Sequence, residues 1–372
     1  MKFHRILHIY EGRVTPYPDN FAGIPRNLRY MGYDVVALDI KHITIKDYCH
    51  VFSRFAPDVV LCFLRDGASC RKVANLHEQY SSVPLVNWYT EDPNYIVRDD
   101  VLSLSSSFHF WFTINNKMVP FYKGRAYFLP PGFDQFDYYK RHVVRDCDVA
   151  YIGQLGHSRS EAMLLPYLKV IAQHQSILCT ERRIIKNAEN LIRVWSKVSS
   201  IFPSELRRGI RKIGKIFSLG PQPDSVIRPN GWFRPIDEYE KALVVARSKI
   251  AVGLSRVRGS WEEKLREYLP TYPVEPGCLF YQPKGRAFEG LGGGAMVLND
   301  YYPELEDMFD VGKEIVTFEF GNLEEFSDKL TWYIRHDQER QRIAEAGHER
   351  SMKQHTMACR LRQILNIVGR GS

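Results

Sequence analysis

The chain has 372 residues, 44% hydrophobic, 25% charged and 13% aromatic; this composition excludes a disordered chain, a collagen or a coiled coil as the main architecture, and at about 150 residues per domain the length implies two domains. No apolar run approaches the ~20 residues that cross a bilayer, and the apolar stretch in MKFHRILHIYEGR is too short for a signal peptide, so a cytoplasmic protein is expected. The formal net charge of +8 favours an anionic partner, whether nucleic acid, an acidic membrane face or a phosphorylated substrate.

Strands are expected at His4 to Tyr10, Asp34 to Asp39, Asp58 to Phe63, Leu85 to Trp88 and His109 to Ile114. Each is rich in β-branched or aromatic residues with little period-2 alternation, the pattern of strands buried on both faces of a parallel sheet. Ala22 to Met31 reads as a helix ended by Gly32, which completes a βαβ unit, and the unit recurs. Residues 1–140 are therefore expected to form an open doubly wound α/β domain.

Pro130-Pro131-Gly132 opens a stretch of changed composition that places a linker near 131–146. Strands resume at Asp148 to Ile152, Ser248 to Gly253, Ala295 to Leu298 and Ile315 to Phe318. Helices are expected at Leu323 to Ile334, Glu339 to Gly347 and Thr356 to Val368. This is a second α/β domain, 147–350, with a final helical segment, 351–372. One stretch breaks the alternation: 181–217 holds ten basic residues against three acidic ones, with apolar residues at helical spacing, including Ile184, Ala188, Leu191 and Trp195 and then Leu206, Ile210, Ile213 and Phe217. It reads as two basic amphipathic helices inserted in the second domain.

Two such domains place a cleft between the carboxyl ends of their sheets. Three stretches there carry residues suited to chemistry. Asp148-Val-Ala-Tyr-Ile-Gly153-Gln154-Leu-Gly156-His-Ser-Arg159 runs from a strand through glycines to a helix start, where N–H groups and an Arg can hold a phosphate; an ordinary strand-to-helix turn is the plainer reading. Arg286-Ala-Phe-Glu289, leading to Gly292-Gly293-Gly294, offers an anion-binding Arg beside a carboxylate suited to two sugar hydroxyls; a local i,i+3 ion pair is its alternative. Glu91-Asp92-Pro93-Asn94 places adjacent acids at the end of a first-domain strand, where one can serve as general base on a hydroxyl, although Asp before Pro is also common in turns. Gly12 and Arg13 follow the first strand and are weaker acceptor-side candidates. The twelve His show no HExxH or HxH spacing, and the seven Cys form no CxxC pair, so neither a metal site nor a disulfide framework is indicated.

With these stretches in this order the chain resembles the CgeB-type, or spore-maturation-like, glycosyltransferases of the GT-B group. Supporting residues are Ala56-Pro-Asp58, Trp88-Tyr-Thr-Glu-Asp92-Pro93, Tyr127-Phe-Leu-Pro-Pro-Gly-Phe-Asp134, Asp148 to Gly153, Arg286-Ala-Phe-Glu289, Pro303-Glu-Leu, Arg342 to Gly347 and His355-Thr356. The resemblance implies two Rossmann-like domains facing a cleft, with the second holding a nucleotide sugar as co-substrate and no cofactor or metal required. It also implies a last helix that crosses back onto the first domain. It carries Glu289 to the nucleotide ribose, and with the reading of the residues above the donor is expected at Gly153, Gln154, Gly156, Arg159, Arg286, Gly292 and Gly293. Catalysis falls to Asp92 with Glu91, and the acceptor side to Gly12, Arg13 and Asn94. The pattern usually has another glutamate eight positions before Glu289; here that position is Tyr281. The expected reaction is sugar transfer to an acceptor hydroxyl of a lipid-linked or cell-surface saccharide, with the protein peripheral on the inner face of an anionic membrane. Transfer to modified nucleic acid ranks behind this, as does a non-catalytic sugar-nucleotide-binding protein.

Overall fold

The computed structural model describes residues 3–12, 23–90, 101–153, 161–179, 238–258, 270–271 and 279–371. The first half contains β1 (Arg5–Tyr10), α1 (Gly23–Tyr30), β2 (Asp34–Asp39), α2 (Ile45–Phe55), β3 (Val59–Phe63), α3 (Gly67–His77), β4 (Leu85–Tyr89), α4 (Val101–Leu104), β5 (Phe110–Thr113) and β6 (Ala126–Phe128). The strands pair in parallel in the order β2-β1-β3-β4-β5-β6. Successive strand residues point to opposite faces. Leu7, Val60 and Cys62 therefore join Tyr48 and Val73 of α2 and α3 in one core. Ile6, Val59 and Leu61 join Ile24 and Leu28 of α1 in the other.

The second half contains β7 (Cys147–Ile152), α5 (Glu161–Ile171), β8 (Ser176–Cys179), α6 (Glu238–Arg247), β9 (Ser248–Gly253), β10 (Arg256–Arg258), β11 (Leu279–Tyr281), α7 (Gly285–Gly292) and β12 (Met296–Asp300). It continues with α8 (Glu304–Met308), β13 (Val316–Phe318), α9 (Leu323–Arg335), α10 (Asp337–Gln354) and α11 (Met357–Gly371). Five strands form a second parallel sheet, β13-β12-β9-β7-β8, and β10 and β11 make an antiparallel pair. None of the helices among the described residues is long and apolar enough to cross a membrane.

The chain passes between the sheets twice, and the two passages touch. Residues 129–146 lead from β6 to β7, and His355-Thr356 joins α10 to α11. Phe133 N–H donates to His355 O at 3.3 Å and Met357 N–H to Phe133 O at 2.7 Å. Beyond this junction α11 lies on the first sheet, with Leu361, Ile364, Leu365 and Val368 in the same core as α1. Arg360 ties the junction further, donating to Pro131 O at 3.2 Å and to His355 Nδ1 at 2.6 Å. His355 Nε2 must then be the protonated nitrogen, donating to Met308 O at 3.1 Å. Burial, aided by Arg360, pulls the His355 pKa down to about 3, so the ring is neutral and compatible with its cationic neighbour.

α10 runs beyond the expected Gly347 end, to Gln354. Its added turns lack apolar periodicity and are held by tertiary hydrogen bonds, His348 with Leu291 O at 3.1 Å and Arg350 Nε to Met308 O at 3.0 Å. Gly347 is buried in this helix because another chain segment passes against it: a Cβ there would lie 2.1 Å from Glu314 O and 2.7 Å from Leu291 Cδ2. Gly347→Ala is therefore expected to destabilise the protein by about 1–3 kcal/mol, although Ala is the better helix former. Thermal unfolding checks this; a melting temperature equal to or above that of the unmodified protein would contradict it.

Candidate active site

The carboxyl edge of the first sheet meets the β10–β11 pair in short contacts. Asn115, just beyond β5, donates to Tyr281 O at 3.2 Å, and Gln282 donates to Thr90 O, just beyond β4, at 3.1 Å. Phe280 of β11 is buried in the core of the first half with Tyr89, Trp111 and Met118. β11 leads directly into α7, so this docking sets where α7 begins.

Three residues meet at the carboxyl edge of the second sheet. Gly153 directly follows β7, Tyr151 lies two residues before it, and Arg286 comes from the first turn of α7. Arg286 Nη1 donates to Tyr151 Oη at 2.9 Å, and its guanidinium lies 5.3 Å from the Tyr151 ring centre. A Cβ on Gly153 would fall 2.3 Å from Arg286 Nη1, so only glycine leaves the guanidinium in this position. Lys284 precedes α7 without a side-chain cap to its first turn. The first N–H groups of the helix thus stand beside a guanidinium, a combination suited to phosphate oxygens.

Glu289 sits one turn further along α7, buried and 3% exposed. Its partner is not Arg286 but Lys241 of α6, whose Nζ lies 2.9 Å from each carboxylate oxygen. Burial pushes the Glu289 carboxyl up, against the pull of the Lys241 ammonium. The same burial works against that ammonium but is outweighed by Glu289 and Glu238, which hold Lys241 above its ordinary value. A cavity of about 10 Å³, room for about one water, lies among Ile152, Val252, Arg286 and Glu289.

Gly292 and Gly293 do not belong with these residues. They close α7 at the amino edge of the sheet, where Arg145 donates both to Ser248 O, at the start of β9, and to Gly294 O. A Cβ on Gly292 would lie 2.4 Å from the Phe133 ring, and one on Gly293 2.5 Å from Val245. Close packing, not approach to a phosphate, requires glycine there. Tyr281 donates to Glu304 Oε1 at 2.6 Å and stacks on Tyr302 with ring centroids 5.4 Å apart, so a carboxylate stands directly behind the tyrosine.

At the facing edge, Gly12 N–H donates to Asp39 Oδ1 at 3.1 Å. Glu11 beside it is buried, accepts from Arg65 N–H at 3.2 Å and hydrogen-bonds Asp66, which caps α3. Glu91, Asp92, Asn94, Arg13, Gln154, Gly156, Arg159 and the basic stretch 181–217 lie outside the described residues. Sequence reading missed Lys241 and Tyr151. Neither carries a local signal: a Glu and a Lys at i,i+3 are the ordinary pattern of a solvated helix face, and a tyrosine inside an apolar strand is that of a core residue.

Residues 206–366 match the model of a family described as glycosyl transferase-like. Among curated protein sequences no match is found. Solved structures similar to the whole chain include sucrose-phosphate synthase from Thermosynechococcus elongatus, at 12% identity and a TM-score of 0.59, covering 99% of this chain and 100% of that one. Another is HepE from Anabaena in complex with UDP-glucose, at 12% identity and a TM-score of 0.60, also covering 99% and 100%. A third is an alpha-glucosyltransferase in complex with UDP-glucose and DNA containing an abasic site, at 11% identity and a TM-score of 0.60, covering 99% of each chain. The fold is GT-B, two Rossmann-type parallel sheets facing one another. The fold is the one these structures share, and the segment 206–366 is glycosyl transferase-like.

Glu11 gives a pH test at the facing edge. Burial and the Asp66 carboxyl raise its pKa from 4.5 to about 8. Its folded-state value lies above the unfolded one, so its contribution to stability is fully present below about pH 4.5 and is lost as pH rises toward 8. Glu11→Gln, which keeps a neutral group there, should flatten that fall in denaturant titrations across the interval. An unchanged slope would show that Glu11 is ionised in the folded protein.

Proposed function

We propose that the protein transfers a sugar from a nucleotide-sugar donor, held by the second domain, to an acceptor hydroxyl held by the first. The meeting of Gly153, Arg286 and the start of α7 carries this reading. As the bond to the anomeric carbon breaks, negative charge grows on the diphosphate, and a guanidinium with oriented N–H groups stabilises it without any reorganisation. Arg286 and the α7 N–H groups take the diphosphate, and Glu289 the ribose. Gln154, Gly156 and Arg159, which follow Gly153 in the sequence, are proposed as further donor-site residues. Asp92, with Glu91 beside it, is the proposed general base, since the chain leaves the carboxyl edge of β4 at Thr90 immediately before them. In this reading positive side chains supply the charge a metal would, and transfer is metal-independent. Within the class, the order of motifs favours the CgeB-type branch.

We further infer a saccharide acceptor at an anionic membrane surface, with the protein peripheral to it. The composition of the basic stretch 181–217 supports this, and so do aromatic side chains exposed among the described residues. Of the eight large hydrophobic side chains exposed among the described residues, four come from the linker, Phe136, Tyr139, Val143 and Val144, and two others are Tyr30 and Tyr239. Tyr30 and Phe136 rings are 5.1 Å apart, and the Arg141 guanidinium lies 4.5 Å from the Tyr139 ring and 5.2 Å from Tyr239. Aromatic rings with interleaved Arg suit a headgroup layer, where one end of each side chain is apolar and the other wet.

A thermal-shift panel of UDP, GDP, CDP, ADP and dTDP sugars tests the donor; at 100 times its Kd a true donor stabilises by about 2.7 kcal/mol. The bound donor should also be hydrolysed slowly in the presence of EDTA. No shift with any donor contradicts the donor site, binding without turnover leaves a non-catalytic protein, and turnover only with added metal contradicts metal independence. Co-sedimentation should be stronger with acidic than with neutral vesicles and weaken with salt. Equal recovery with both removes the membrane surface, and salt-sensitive binding to duplex DNA instead favours a nucleic-acid acceptor.

A further inference from the structure

We propose that Lys241 is a positioning residue of the nucleotide site: its ammonium holds the Glu289 carboxylate so that the oxygen beside Gly285 accepts a ribose hydroxyl. The inference rests on the donor-site reading above and adds to it how that carboxylate is kept in place and in its charged form.

Three carboxylate oxygens fix the ammonium. Two belong to Glu289, each at 2.9 Å, and the third is Glu238 Oε1 at 3.4 Å. The other Glu238 oxygen accepts the Tyr138 hydroxyl at 2.6 Å, and the Tyr138 ring centre lies 5.6 Å from Lys241 Nζ. These contacts hold the ammonium to carboxylate oxygens, and Lys241 cannot turn to a phosphate without leaving Glu289. Arg286, the other cation near Glu289, is aimed away from it, at Tyr151. The two cations thus divide the labour, one facing the diphosphate position and the other fixing the carboxylate.

Lys241 does not use all the accepting capacity of Glu289, because an ionised carboxylate offers about four lone-pair sites. Oε1 lies 3.4 Å from where a Cβ on Gly285 would stand, and Gly285 is the first residue of α7. The missing side chain leaves that oxygen approachable from the end of the helix where Arg286 stands. A nucleoside diphosphate with its phosphates at Arg286 brings its ribose to this side. The groups facing Glu289 are Lys241 and Glu238 from α6, Tyr138 from the linker and Arg286 from its own helix. Of the two cations, only Lys241 contacts the carboxylate. Without it burial acts nearly unopposed, the carboxyl titrates closer to neutral pH, and ribose binding strengthens as pH rises.

The test compares the wild type with Lys241→Met and Lys241→Arg. Each is titrated with the best-binding of UDP, GDP, CDP and ADP, with its 2′,3′-dideoxy analogue and with pyrophosphate, between about pH 6 and 8.5. The wild type should prefer the ribonucleotide by about tenfold or more across the range, the scale of one hydrogen bond to a charged group. Lys241→Met should lose that preference at the acid end and regain part of it as pH rises, while Lys241→Arg keeps most of it. Pyrophosphate should bind all three proteins within about twofold, which also reports that the variant site is folded. The inference fails if Lys241→Met keeps the full preference. It fails equally if nucleotide and pyrophosphate weaken by the same factor, since Lys241 then only holds the fold. A wild type that binds pyrophosphate but does not tell the nucleotide from its dideoxy analogue overturns the ribose role of Glu289 itself, and so marks failure of the donor-site reading.

Discussion

Everything at the cleft depends on the pairing of the two chain passages at Phe133. A Rossmann-type sheet presents its loops at the carboxyl edge, and two such sheets form one site only if those edges are held face to face. Here the hydrogen bonds of Phe133 with His355 and Met357 join the outgoing and returning chain, and α11 then commits its apolar face to the first sheet. The junction is buried, so its polar groups need partners within the protein. A neutral His355 and a fully engaged Arg360 meet that requirement. Phe133 also lies over Gly292, which couples the junction to the far end of the helix that begins at Arg286.

That helix carries the electrostatics of the site. Its first turn carries a guanidinium bonded to the Tyr151 hydroxyl, while Glu289 one turn later is buried against an ammonium. Buried charges survive only when paired and hydrogen-bonded. The Lys241–Glu289–Glu238 group, with Tyr138 on its outer oxygen, satisfies this with side chains from α6, α7 and the linker. In the proposed reading the charge serving the phosphate, on α7, and the charge ordering the ribose carboxylate, on α6, come from different elements.

The architecture was legible because buried parallel strands are apolar on both faces. The runs at 34–39 and 248–253 match β2 and β9, and the Pro-Gly stretch marked residues that contain neither helix nor strand. What escaped depends on contacts distant in sequence. The end of α10 is held by hydrogen bonds to Leu291 and Met308, which no local periodicity records. A glycine cluster looks the same whether it admits a phosphate or a phenylalanine, so Gly292 and Gly293 were assigned to the donor, although their neighbours are Phe133 and Val245. Arg286 and Glu289 were correctly placed on one helix near its start. Their partners Tyr151 and Lys241 lie 135 and 48 positions away in sequence and were not visible in it.

The central claim is that Gly153, Arg286 and the start of α7 form the diphosphate site, with Glu289 at the ribose. A crystal structure with the bound nucleoside diphosphate tests it most directly. The account predicts phosphate oxygens within about 3 Å of an Arg286 nitrogen and a ribose hydroxyl at a similar distance from Glu289. Phosphates more than about 8 Å from Arg286, too far for a direct hydrogen bond, would contradict it.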